Sequence, residues 1–242
     1  MRKGIILLLL LLAGLNIQAQ RKGLSVTAGM ADYNFAELKA YQDDLISRVP
    51  FDVKGFSYFP RYSNFRLSYF LLQDNGLKLG LVYAYSTTGA HANYKDLSGQ
   101  LNIDQFVTAY QFGISGSYPF IGNGKFDLSG YGDLRLAYVR NQVNMNIVTL
   151  YYFESNTLKM KTFSPGLEAG LELNYNINRI SFGLQGGYYL DSGSSFDIGT
   201  ESLSDPLASL KTTSELHSQL SGFRAGIKLT FWLDPPQMTI IE

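Results

Sequence analysis

The chain has no cysteine among its 242 residues, only two histidines and a single tryptophan. The absence of cysteine excludes a disulfide framework, thiol chemistry and thiolate metal ligands. The two histidines, His91 and His217, are too far apart in the sequence to show the spacing of a zinc site, so neither a metal nor another cofactor is expected. The formal net charge is zero, which gives no electrostatic basis for a nucleic-acid partner.

Long hydrophobic runs are also missing, except at the start of the chain. Arg2 and Lys3 precede an almost unbroken aliphatic stretch at residues 5–15, and IQA, ending at Ala19, fits a small-residue cleavage site. This order of charge, apolar core and small residues predicts a secretory signal peptide at residues 1–19. The competing interpretation is a membrane anchor, but the apolar stretch is shorter than the ~20 residues of a spanning helix.

What the chain has in abundance is glycine and aromatic residues, with 24 Gly, 17 Tyr and 16 Phe, while charged residues make up only 17%. Apolar residues recur at every second position in eight segments, the first two less regularly than the rest. A period of two predicts strands that have two different faces. The segments are residues 24–30, 65–71, 77–85, 106–114, 126–138, 167–177, 180–190 and 223–231.

Short and long connections alternate strictly between these segments. Short turns are expected at residues 73–76, 118–125 and 176–179. Long connections are expected at residues 35–58, 88–104, 141–160 and 192–220. This alternation, with both ends of the chain on the short-turn side, is typical of a membrane barrel with short periplasmic turns. In the first long connection, Leu38, Tyr41, Leu45 and Val49 have helical spacing, which predicts a short helix.

The two faces of the predicted strands differ in charge. The apolar face carries no charged residue, and a soluble lipocalin-like barrel would turn such a face inward, whereas in a bilayer it must face lipid. The sequence therefore predicts an all-β fold, an eight-stranded antiparallel up-and-down transmembrane β-barrel. Small residues and nine charged ones share the other face, which would line the lumen: Arg66, Lys78, Asp127, Asp133, Arg135, Glu168, Glu172, Arg224 and Lys228.

These lumen charges are nearly balanced in sign, and buried charges have to be paired. We expect an internal ion-pair network; the alternative is an ion pathway, which an eight-stranded barrel is too narrow to hold open. Glu168 and Glu172 lie on one strand face, roughly 13 Å apart, which is too far for a glycosidase pair. They are expected to brace the barrel through Arg135 and through Arg224 or Lys228.

Aromatic residues cluster toward both ends of the predicted strands, as the two interfacial girdles of a membrane barrel require. The long-connection side carries Tyr83, Tyr85, Tyr138 and Tyr188. The short-turn side carries Phe120, Phe126, Tyr175, Phe231 and Trp232.

The segment RAGIKLTF, residues 224–231, resembles the C-terminal β-signal that the barrel-assembly machinery reads on the last strand of outer-membrane proteins. Its matching residues are Arg224, Gly226, Leu229 and Phe231, although here the chain continues beyond the terminal aromatic residue with WLDPPQMTIIE.

The whole mature chain resembles the small eight-stranded outer-membrane barrels of the OmpA/OmpX type and the porin-family barrels of Gram-negative bacteria. This resemblance implies a barrel domain at residues 20–233, a short periplasmic tail at residues 234–242, periplasmic termini and an outer-membrane location. It also implies contact with outer-membrane lipids, and with the assembly machinery during biogenesis.

Three functions are compatible with this fold. We favour a structural or interaction role through the extracellular loops, in adhesion, envelope integrity or secretion docking, with an extracellular or envelope protein as partner. The alternatives are a narrow channel for small solutes and a lipid-modifying enzyme with His91, or His217 beside Ser218, at the rim. No catalytic residue and no enzymatic activity are expected, because adjacent histidine and serine do not by themselves provide the geometry of an active site.

Overall fold

The structure is a computed structural model that describes residues 21–47, 56–57, 59–73, 76–97, 99–123, 125–151, 153–198 and 216–233. The predicted signal peptide at residues 1–19 and the predicted tail at residues 234–242 lie outside these ranges. Within the described ranges, no helix has both the length and the apolar composition needed to cross a membrane.

Eight long strands form one antiparallel ring, which confirms the predicted fold class. In ring order the strands follow the chain, and the last one pairs back onto the first. The eight are β1 (Arg21–Tyr33), β3 (Tyr62–Leu72), β4 (Lys78–Lys95), β5 (Gly99–Gly122), β6 (Phe126–Thr149), β7 (Phe153–Ile177), β8 (Ile180–Asp191) and β10 (Gly222–Trp232). Two-residue strands extend the wall: β2 (Phe56–Ser57) pairs with β4, and β9 (Asp197–Ile198) pairs with β7.

An apolar band surrounds the lower part of the barrel. On β5 the outward residues Phe112, Ile114, Tyr118 and Phe120 are between 47% and 60% exposed. The stretch from Tyr110 to Phe120 covers about 33 Å along the strand, or about 25 Å along the barrel axis at the usual tilt. This height matches the lipid-facing band of outer-membrane barrels.

Two of the expected long connections are strands instead. The connection expected at 88–104 is mostly the outer part of a β4–β5 hairpin, in which β4 ends at Lys95 and β5 begins at Gly99. The connection expected at 141–160 is likewise the outer part of a β6–β7 hairpin. β4 to β7 therefore rise beyond the apolar band and form a sheet, called here the outer extension (residues 86–110 and 138–164).

Polarity changes faces where the strands leave the lipid band, and this explains why the strands were mistaken for loops. In the band, outward residues are apolar. In the outer extension the inward residues Leu101, Ile103 and Val143 are buried, while the outward residues Asn102 and Asp104 are polar. The alternation continues with the opposite phase, because water rather than lipid surrounds this part and the apolar face must turn inward.

A helix and a short segment close the barrel at its outer end. Helix α1 (Ala36–Ser47) confirms the predicted helix, although Val49 lies outside the described residues. Leu38 and Leu45 of α1 pack into the apolar interior of the outer extension, together with Leu216 and Leu220. We call α1 and residues 216–220 the plug.

Polar contacts join the two parts of the plug to each other and fix residues 216–220 to the wall at Asp191. The carboxylate of Glu37 accepts a hydrogen bond from the backbone N–H of His217 at 2.9 Å, and Gln219 Oε1 accepts one from the N–H of Glu37 at 3.1 Å. Asp191 Oδ2 accepts hydrogen bonds from Ser218 Oγ at 2.5 Å and from the N–H of Leu220 at 3.0 Å. The plug is therefore held in the outer end of the lumen by polar contacts as well as by its apolar packing.

Glycine is required where the ring closes. Gly29 of β1 and Gly226 of β10 face each other across the seam between the first and last strands. A Cβ on Gly29 would lie 2.0 Å from the carbonyl oxygen of Ala225, and a Cβ on Gly226 would lie 2.8 Å from that of Ala28. The two strands approach too closely here for any side chain.

The orientation of the barrel can be tested with cysteines, since the chain has none of its own. Leu97 is fully exposed at the tip of the β4–β5 hairpin, and Lys125 is exposed in a turn at the opposite end. In intact cells, a membrane-impermeant maleimide should label L97C, and should label K125C only after the outer membrane is permeabilised. Labelling of K125C but not L97C in intact cells would reverse the orientation.

Candidate functional site

Three arginines and two carboxylates form a cluster at mid-height in the lumen. Arg66 Nη2 donates to Asp133 Oδ1 at 3.0 Å, and Arg135 contacts the other oxygen of Asp133 through Nε at 3.1 Å and through Nη2. Arg135 Nη1 and Arg224 Nη1 both lie 2.9 Å from Glu168 Oε2. We call these five residues, all at least nine-tenths buried, the central cluster.

Neutral side chains complete the central cluster. Tyr131 donates its hydroxyl to Glu168 Oε1 at 2.8 Å, while Gln111 Oε1 accepts from both Arg135 and Arg224 at 3.0 Å. The guanidinium of Arg224 lies 4.1 Å from the ring centre of Tyr189, a cation–π distance. The arginines are thus held by rings and amides as well as by carboxylates.

A second charged group, called here the inner cluster, lies toward the short-turn end. Glu172 accepts from Lys228 Nζ at 2.5 Å and from Ser117 Oγ at 2.7 Å, and Lys78 Nζ is 3.9 Å away. The rim below it carries Trp232, whose indole N–H donates to Ser181 Oγ at 3.1 Å.

The structure places all nine expected charged residues on the lumen face, and eight of them form two groups of ion pairs rather than one network. Glu168 belongs to the central cluster and Glu172 to the inner cluster, with Gly170 between them on β7. Asp127, on the same face, accepts from the amides of Asn174 and Asn176 at 2.8 and 2.9 Å. Their role as a brace stays a prediction.

The sequence reasoning missed the neutral members of these clusters. Gln111, Ser117, Tyr131 and Tyr189 occupy the same strand phase as the charged residues, so a complete reading of that phase would have found them. The tyrosines were passed over because aromatic residues in a barrel were expected at its lipid interfaces rather than in the lumen.

The arrangement gives these carboxylates little scope for chemistry. Asp133, Glu168 and Glu172 each contact at least one cation, and each is at most 3% exposed. Within the described ranges, no group of three or more His, Cys, Asp or Glu side chains is arranged to hold a metal. These ion pairs instead connect strands across the barrel: Arg66 joins β3 to β6, and Arg224 joins β10 to β7.

The rim histidines contact carboxylates, not serine. His91 Nδ1 lies 2.5 Å from Asp104 Oδ1 on the outward face, and His217 Nδ1 lies 2.9 Å from Glu37 Oε2. Ser218 is fully buried and donates to Asp191. In the part of the chain that the structure describes, the pairing of His217 with Ser218 that the enzyme alternative would require is therefore not formed.

The residues that resemble a β-signal all lie on β10, the closing strand. Arg224 and Gly226 point inward, where Arg224 joins the central cluster and Gly226 makes room at the seam. Leu229 and Phe231 point outward on the lipid face. Their recognition by the assembly machinery stays a prediction.

Replacing Glu168 tests whether the central cluster braces the barrel. E168Q keeps the shape of the side chain but removes the charge that neutralises Arg135 and Arg224, which should lower the free energy of unfolding by about 3 kcal/mol. The loss is measured as a lower temperature for the heat-induced shift between folded and unfolded bands on a detergent gel.

The matched control is D104N, which removes a carboxylate of similar type from a half-exposed pair with His91. It should change the free energy of unfolding by no more than about 0.5 kcal/mol. In the double variant E168Q/R224M, the loss in free energy of unfolding should be smaller than the sum of the losses in E168Q and R224M. The reason is that Arg224, which E168Q leaves unpaired, is absent from the double variant. Equal thermal stability of E168Q and D104N would exclude the brace.

Comparisons with known proteins give likeness of fold at low identity. No protein-family model matches the chain, and none of the curated proteins matches it. A major outer membrane protein from Thermus thermophilus is similar at 12% identity, over 88% of this chain and 99% of that chain, with a TM-score of 0.47. Ail, the attachment invasion locus protein of Yersinia pestis, is similar at 12% identity, over 88% of this chain and 97% of that chain, with a TM-score of 0.38. The outer membrane protease OmpT from Escherichia coli is similar at 12% identity, over 89% of this chain and 98% of that chain, with a TM-score of 0.43.

The presence of OmpT among these structures corrects one prediction. The expectation that the chain is not an enzyme is wrong as an exclusion, because one of the three similar structures is an outer membrane protease. The identity of 12% leaves the activity of the present chain open. The closed eight-stranded ring, its apolar outer band and its charged lumen are this chain's own features. By these features the chain is a closed, eight-stranded antiparallel β-barrel with an apolar outer band whose height fits a lipid bilayer.

Proposed function

We propose that the protein is a closed barrel that anchors a binding surface outside the outer membrane, and that it works by interaction through its outer extension rather than by conducting solutes. The partner is expected to be an extracellular or envelope protein. The observation that carries this proposal is the filled lumen, which leaves the outer extension as the part of the molecule that faces the surroundings.

Two independent barriers in the lumen support the closed state. The central cluster crosses the lumen at mid-height, and the plug fills the outer end with buried side chains such as Leu38, Leu45 and Leu220. An eight-stranded ring has an interior that side chains can fill. A solute would have to displace both the paired charges and the apolar core.

The tip of the β6–β7 hairpin supports an interaction role. Leu150, Tyr151 and Phe153 are 79%, 97% and 69% exposed, although this end projects beyond the lipid band into water. Large apolar side chains grouped at a water-exposed tip are typical of a protein contact surface. The tip stands on strands of 24 and 25 residues, so it is held on a rigid support.

Conductance in planar bilayers tests the closed state. The protein should give no steady ohmic current, and neither should F35A/L38A, because the central cluster still blocks the lumen when the plug is weakened. Steady ohmic current from the unaltered protein would contradict the closed barrel and favour the narrow-channel alternative.

Substitution at the tip tests the interaction role. L150S/Y151S/F153S should lower the adhesion of producing cells to protein-coated surfaces to the level of cells that lack the protein, since it removes the exposed apolar group. L150M/Y151F/F153Y keeps the apolar character and should retain adhesion. Cell-surface amount and the heat-induced band shift should be equal for both variants.

Envelope integrity is separated by a second measurement on the same strains. Uptake of a dye that the outer membrane normally excludes should be unchanged by L150S/Y151S/F153S. If adhesion is retained in that variant, or if only dye uptake changes, the interaction role is contradicted.

A further inference from the structure

Outward side chains of the outer extension form rows that run across neighbouring strands. One row contains Tyr110, Tyr138 and Phe163 on β5, β6 and β7, and it continues to Tyr85 on β4. Tyr138 and Phe163 have ring centres 4.9 Å apart, and those of Tyr85 and Tyr110 are 5.4 Å apart. This aromatic row ends the apolar band at its outer side, at the level where interfacial aromatics meet lipid headgroups.

Basic residues occupy the rows directly beyond the aromatic row. Thr108, Arg140 and Lys161 form the next row, and Phe106, Gln142 and Lys159 form the one after it. Successive rows on a strand face are two residues apart, or about 7 Å. The basic side chains therefore begin within one row of the girdle, and all three are exposed.

A pocket of about 140 Å³ lies between these rows on the outward surface. It is lined by Arg140 and Lys159, by the polar residues Thr108 and Gln142, and by the rings of Phe106 and Tyr110. A single water takes about 30 Å³ of liquid volume, so the pocket accommodates a group of several heavy atoms.

The two cations that line the pocket have no carboxylate of their own. Among the described residues, neither Arg140 nor Lys159 forms an ion pair. Lys161 differs, because Asp197 on β9 lies opposite it in the strand register. Asp104, one row further out, is engaged by His91 at 2.5 Å. The positive charge of the pocket is thus available to an anion.

We propose that this pocket binds a phosphate-bearing headgroup of a lipid in the outer leaflet of the surrounding membrane. Arginine and lysine with neighbouring hydroxyl and amide donors are the groups that bind phosphate oxygens. The ring of Tyr110 continues the pocket downward into the apolar band, where the acyl chains of the same lipid pack against Phe112 and Leu136.

The position favours a lipid over a dissolved anion. The pocket opens sideways on the barrel wall just above the aromatic row, so a headgroup reaches it while its acyl chains stay in the bilayer. A lipid already held at the membrane surface has a high effective concentration at this level, whereas a free anion has to be bound from dilute solution.

Lipid binding to the mature chain is measured by native mass spectrometry in detergent, with diphosphorylated lipid A as the probe. R140Q/K159Q should weaken the apparent affinity roughly 25-fold, since each of the two cations near the headgroup contributes about fivefold. The control K95Q/K125Q also removes two exposed positive charges, but from the hairpin tip and the short-turn end, and should leave affinity unchanged. The heat-induced band shift checks that both variants are folded.

Two further probes identify the chemistry. Fully dephosphorylated lipid A should bind the unaltered protein as weakly as intact lipid A binds R140Q/K159Q, and millimolar inorganic phosphate should not displace bound lipid A. Equal affinity of R140Q/K159Q and K95Q/K125Q overturns the proposal. Displacement by inorganic phosphate also overturns it, because the pocket would then be a site for free phosphate.

Discussion

Charge in the middle of the barrel has to be paired, and this constraint organises the rest of the structure. Arg66 from β3 reaches Asp133 on β6, and Arg224 from β10 reaches Glu168 on β7, so the pairs cross the ring. Arg135 joins both carboxylates, and Gln111 adds a fifth strand, β5. Each carboxylate is paired with two arginines, so removing Asp133 or Glu168 leaves Arg66 or Arg224 buried without its carboxylate, which costs several kcal/mol. The same crossing contacts that hold the wall together also occupy the space through which a solute would pass.

The strands keep the same period-two alternation of apolar and polar residues in the lipid band and in the water-exposed outer extension. In the lipid band the apolar face of each strand points outward, and in the outer extension the apolar face points inward against the plug. The backbone continues without interruption through the change, as in β6, which keeps its pairing to β5 from Asp127 to Thr149. The rigid support beneath the exposed tip, and the basic rows next to the aromatic row, both result from this reversal at the membrane surface.

Most of the fold could be predicted from the sequence, because period-two alternation is a strong local signal. All eight barrel strands and the lumen phase of residues such as Glu168 and Lys228 follow from this alternation, and helical spacing predicts helix α1. The outer halves of β4 to β7 were not, because only one phase of the alternation was followed and it turns polar at the lipid boundary. The division into a central and an inner cluster depends on register between distant strands, and a single sequence carries no signal for register. The contact between residues 216–220 and α1 could not be predicted for a similar reason, since these segments are about 180 residues apart in the sequence.

The chain contains a single tryptophan, and its place in the ring has a spectroscopic consequence. Trp232 ends the last strand, packs edge-on against Phe70 with ring centres 5.3 Å apart, and lies under the guanidinium of Arg21 from the first strand at 4.3 Å. It is almost fully buried, and it is far from the plug and from the exposed tip. The tryptophan fluorescence of this protein therefore reports the pairing of the first and last strands at the inner rim. The emission of Trp232 can thus be used to follow ring closure during insertion.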